Sequence, residues 1–130
     1  MDSVVAEVAD PDRRRAVSRV LAALSGVWGV LLLVRPRPLA HALCPEFPEP
    51  KLWIVRVLGA RLVVQHAVVL ASPARRQVRA AAMVDGLHAA SMVPLLWSPR
   101  YRRAALVSGG YAAFYAVTAP AVAPRTSPPP

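Results

Sequence analysis

Acidic residues are scarce in this chain: seven aspartates and glutamates stand against 16 basic residues, for a formal net charge of +9 at pH 7. Lysine is scarcer still, since Lys51 is the only one and the other basic residues are arginines. The single cysteine, Cys44, excludes an intrachain disulfide, a CxxC redox pair and a cysteine-rich zinc cluster. The G-x-S-x-G, P-loop and HExxH patterns are absent, which removes the commonest local signatures of hydrolases, nucleotide-binding enzymes and zinc proteases. The most informative shortage is of charge within four long runs, 20–34, 52–72, 80–97 and 104–123, where Arg56, Arg61 and Asp85 are the only formal charges.

What fills those runs is apolar. With 55% hydrophobic residues and 18% charged ones, the chain is too hydrophobic for general disorder. A water-soluble amphipathic helix needs a polar stripe every three or four residues, and these runs have none. A bilayer core of about 30 Å takes roughly 20 helical residues, which the later runs reach or approach directly. The first reaches that length if 16–19 supplies its first turn, with Arg19 snorkelling to the headgroups. The expected fold class is therefore all-α: a four-helix transmembrane bundle with antiparallel up-down connections. Helices are expected at about 16–34, 52–72, 78–97 and 104–123. A basic N-terminal segment over 1–15 precedes the membrane domain of 16–123, and a disordered proline-rich tail over 124–130 follows it. A cleaved signal peptide is the rival reading for the first run, but Arg35 and Arg37 stand where positive charge opposes cleavage at Ala40-His41-Ala42.

The connections set topology. Prolines at 36, 38, 45, 48 and 50 favour extended, kinked backbone over a continuous helix in 35–51, with room for a short interfacial turn at 40–44. The Ser72-Pro73 and Ser98-Pro99 turns are short and force antiparallel neighbours. Basic residues flanking the spans favour both termini in the cytoplasm, the side with Arg13, Arg14, Arg15, Arg19, Arg75, Arg76, Arg79 and Arg125. The arginines thus flank short connections on both membrane faces, which argues against nucleic acid as a partner and for the lipid bilayer.

Ionisable groups at mid-bilayer are costly and should face the bundle interior with a partner. At about 1.5 Å rise per residue, Arg61 and His88 fall within about 2 Å of the midplane, with Gln65 and Asp85 roughly 4 Å from it. Arg61 and Gln65 are four apart on one face of the second span; Asp85 and His88 are three apart on one face of the third. A tight turn joins these spans, so a polar cluster of Arg61, Gln65, Asp85 and His88 is expected, centred on an Arg61–Asp85 ion pair. It reads either as a structural clip fixing which helix faces which, or as a small-molecule, proton or quinone-type site. Tyr111 and Tyr115 could hydrogen-bond into it from the fourth span.

Other candidates are weaker. His66 points about 140° away from Arg61, and its axial offset of roughly 7 Å from His88 disfavours a bis-histidine haem. His41 and Cys44 are two ligands, too few for a metal site. No cofactor, metal or catalytic residue is assigned. Small residues at i,i+4 spacing, including Ser25 and Gly29, Ala82 and Gly86, and Gly109 and Ala113, allow close packing within the bundle or between protomers of a homo-oligomer. Small multidrug exporters need a carboxylate in the first span, and CDP-alcohol phosphotransferases need several aspartates in one helix; neither condition is met here.

The strings Arg56-Val57-Leu58-Gly59-Ala60-Arg61 and Asp85-Gly86-Leu87-His88-Ala89-Ala90-Ser91-Met92 resemble small actinobacterial four-helix membrane proteins of DoxX-like general layout. The bias to arginine, alanine and proline over lysine fits such a GC-rich source. The resemblance covers about 52–103 and implies an embedded arginine on the second span and an aspartate on the third, matched by Arg61 and Asp85; it implies no particular activity. The expected function is a non-enzymatic integral plasma-membrane protein, an accessory or interaction subunit whose polar cluster is structural. The alternative is a small transporter-like or redox-accessory protein using Asp85 and His88 for proton or ligand binding.

Overall fold

The computed structural model describes residues 10–125. Residues 1–9 of the basic N-terminal segment and 126–130 of the proline-rich tail lie outside the described residues. Among the described residues five α-helices follow in order: α1 Pro11–Val34, α2 Pro36–Leu43, α3 Leu52–Ala71, α4 Arg75–Met92 and α5 Arg102–Val122. Short 3-10 segments at Glu49–Lys51 and Val93–Trp97 lead into α3 and out of α4, and no strand occurs among the described residues.

Local chemistry sets the boundaries. The first helix begins at Pro11, five residues before the expected start at 16, because Asp10 caps it: the carboxylate accepts the Asp12 N–H at 3.0 Å and Pro11 fills the first helical position. Arg13, Arg14 and Arg15 are therefore helical and do not form a separate basic segment. The proline-rich connection also departs from its expectation of extended chain, since Pro36–Leu43 is a helix. Pro36 and Pro38 both stand in its first turn, where a missing N–H breaks no intrahelical bond. Pro94 has the opposite effect inside the third span, where its lost N–H turns the end of α4 into the 3-10 segment Val93–Trp97.

The bundle is built from two close helix pairs. Helix α1 packs on α3, α4 packs on α5, and contacts between the pairs are sparse. Glycine permits the first pairing: a Cβ on Gly29 would lie 2.8 Å from the Gly59 carbonyl oxygen, and one on Gly59 would lie 2.6 Å from that of Gly29. The backbones meet there without side chains between them, the small-residue mode of helix association in lipid. In the second pair, a Cβ on Gly109 would stand 3.0 Å from that of Met92.

Burial is inverted relative to a water-soluble bundle. Alanine supplies most of the buried apolar residues, and Ser18, Ser25, His66 and Asp85 are buried among them. The large apolar side chains point outward; Val117, Trp97, Leu87 and Met83 are each at least 70% exposed. Such a continuous apolar exterior is unfavourable in water and favourable in hydrocarbon. Four helical spans, Pro11–Val34, Glu49–Ala71, Arg75–Trp97 and Arg102–Val122, are long and apolar enough to cross a membrane. The protein is an all-α bundle of multi-pass membrane character.

Candidate functional site

Helices α3 and α4 bring Arg61, Gln65 and Asp85 into one network. Arg61 Nη2 lies 3.1 Å from Asp85 Oδ1, and Gln65 Nε2 donates to Asp85 Oδ2 at 3.0 Å. Arg61 Nη1 donates to Gln65 Oε1 at 3.4 Å, closing a triangle of three side chains. The Gln65 amide also reaches the Ala81 carbonyl at 3.4 Å, which ties α3 to the α4 backbone. The Asp85 side chain is 1% exposed and that of Arg61 26%, so the acid is sealed while the base has one open side. A charge held this deep requires an opposite charge close by, and these two residues supply it for each other, while Asp85 Oδ1 accepts and Arg61 Nε donates no aligned hydrogen bond.

His88 makes no hydrogen bond within this triangle, although it lines the same cavity as Arg61. Its Nε2 hydrogen-bonds Ser108 Oγ on α5 at 2.7 Å, linking the second helix pair. Tyr111 likewise bonds out of the triangle, to Ser25 Oγ on α1, adding a polar link between the two pairs to those that Arg61 and Gln65 make with α4. His66 is fully buried, with its ring set edge-on to Tyr115 at 4.7 Å between centroids. It therefore joins α3 to α5, and its ring and that of His88 serve different neighbours. No group of three or more His, Cys, Asp or Glu able to hold a metal occurs among the described residues.

Between the two helix pairs lies a cavity of about 350 Å3 with almost wholly apolar walls. Leu32 of α1, Leu58 of α3, Met92 of α4 and Ala104 of α5 contribute one wall residue from each span. Its mid-membrane end is polar, formed by Arg61, His88, Ser108 and Tyr111; Gln65 and Asp85 stand behind Arg61 and do not line it. Its other end lies under α2 and the following loop, beside Cys44, Phe47, Lys51 and Tyr101. Lys51 Nζ sits 5.3 Å from the Tyr101 ring centre, and Phe47 meets the same ring edge-on at 6.0 Å. Glu49 nearby is held by Arg37 Nε at 3.3 Å and His41 Nε2 at 3.2 Å. Burial pushes the Cys44 thiol above its ordinary value, opposed by the Arg103 charge and reinforced by Glu46.

Sequence reasoning missed several of these contacts. Arg14, counted in the sequence among the basic residues that set orientation, is buried, and its guanidinium donates to the Ala121 and Ala123 carbonyls at 3.1 Å. Those oxygens end α5 and lack intrahelical donors, so an arginine near the start of α1 caps the last helix. Arginine near a helix start carries no mark of that distant role. The cavity was equally hidden, because it depends on which spans pair closely. No family model, curated protein or solved structure matches the chain.

Proposed function

We propose that this protein is a plasma-membrane protein that holds a small, mainly apolar molecule between its two helix pairs. The observation that carries the reading is the cavity: apolar walls, one polar end at mid-membrane and a volume within the range of small-molecule sites. In this reading Arg61, Gln65 and Asp85 form the structural clip that holds α3 against α4, while His88, Ser108 and the open side of Arg61 face the ligand. Asp85 is sealed behind Arg61, which favours a fixed counter-ion over a site that exchanges protons with the cavity. A DoxX-like layout, with both termini cytoplasmic, is compatible with this role and is part of the proposal.

Native mass spectrometry of the protein extracted in mild detergent tests it. A stoichiometric small-molecule adduct is expected, and Leu58→Phe, which grows a side chain into the cavity, should lose it. A lone protein with no adduct opposes the reading. A stoichiometric protein partner without any small molecule would instead support an accessory subunit, for which the clip alone suffices.

A further inference from the structure

The two ends of the cavity differ in charge. At the mid-membrane end the Arg61 charge is compensated by Asp85 at 3.1 Å, so an anion there would bring excess negative charge into the membrane interior. At the outer end Lys51 lines the cavity with an aromatic ring beneath it and, among the described residues, no carboxylate in ion-pair contact. Arg103 stands close enough to act on the Cys44 thiol at the same rim. Near that end Glu49 is held by Arg37 and His41, and Glu46, like Arg103, acts on Cys44. Lys51 thus places a positive charge on the cavity wall with no carboxylate paired to it among the described residues. From Lys51 to Arg61 the cavity runs along ten residues of chain, about 15 Å, with apolar walls throughout.

We propose that the cavity takes a single-chain amphiphile with an anionic head, the head held at the rim by Lys51 and the chain lying between the helix pairs toward Arg61 and His88. A carboxylate at the rim gains a charge-assisted contact with the ammonium while remaining at headgroup depth. The chain gains the apolar walls and places no charge against the Arg61–Asp85 pair. This inference rests on the cavity being a binding site, and its test separates the two.

The probe is cis-parinaric acid, a fluorescent single-chain fatty acid, compared with its methyl ester. Each is titrated into the purified full-length protein in non-ionic detergent, following quenching of tryptophan emission, to which Trp28 in the cavity wall contributes. The acid should bind saturably and more tightly than the ester. Lys51→Gln should weaken the acid about tenfold and leave the ester unchanged, with Arg103→Gln adding to the loss. Leu58→Phe and Ala104→Phe, made separately in case one fails to fold, should weaken both ligands. If the ester binds wild type as tightly as the acid, or Lys51→Gln leaves the acid unchanged, the anionic-head assignment is overturned while the binding cavity stands. If neither ligand binds, or the filled variants bind both like wild type, the cavity reading itself falls.

Discussion

Asp85→Asn probes the clip with almost no change of shape. The substituted amide can keep the hydrogen bond that Gln65 Nε2 makes at 3.0 Å, but it removes the counter-charge 3.1 Å from Arg61. Deleting one partner of a fully buried pair costs about 3–5 kcal/mol, and an uncompensated arginine at a membrane-helix centre about 2.5–3.5 kcal/mol. Arg61 keeps 26% of its side chain exposed, which lets the charge relax toward the cavity and places the expected loss near the low end, about 2–3 kcal/mol. The assay is reversible unfolding in mixed detergent micelles with increasing SDS, followed by circular dichroism. A double variant, Arg61→Met with Asp85→Leu, removes both charges and should return to within about 1 kcal/mol of wild type, because no orphan charge remains. A single variant within about 0.5 kcal/mol of wild type would refute the reasoning, as would a double variant as unstable as the sum of its parts.

Other expectations concern packing and access. Gly59→Ala places a Cβ against the Gly29 carbonyl and the Leu33 amide and should cost about 1–3 kcal/mol in the same assay, whereas Gly110→Ala, with open space around it, should be neutral or mildly stabilising. His66→Phe keeps the edge-on contact with Tyr115 and removes an Nδ1 that has no partner, but it also gives up the 3.4 Å contact of Nε2 with the Gln65 amide; a loss of about 0.5–1.5 kcal/mol is expected, and stability equal to wild type would show that the ring nitrogens do not matter. Cys44, whose thiol burial holds above its ordinary value, should react with maleimide more slowly than free cysteine at neutral pH. Its rate should keep rising at pH values where free cysteine has levelled off.

The spans were legible because a charge-free run of helical length has few other uses, and the run from Leu52 to Ala71 announces itself without any periodicity. The contact of Arg61 with Asp85 was legible for a related reason: no other acid lies within the four charge-poor runs, and the turn after α3 is too short to separate the two faces. Beyond that, prediction needed packing that spacing does not encode. His88 shares a face with Asp85, yet it turns to Ser108, because α5 lies closer to α4 than α3 does. The helix over Pro36–Leu43 was hidden by its own prolines, whose meaning depends on whether they fall in a first turn or later. The cavity follows from Gly29 meeting Gly59 and Gly109 meeting Met92, contacts that tighten each pair and leave space between pairs.

Cys44 offers the most direct measurement of that space, since it is the only cysteine and lines the cavity rim. Its alkylation rate in native membranes, with and without saturating cis-parinaric acid, reports whether a ligand enters. Saturable protection, lost in Ala104→Phe, is the expected result. An unchanged rate at ligand excess would contradict a binding site between the helix pairs.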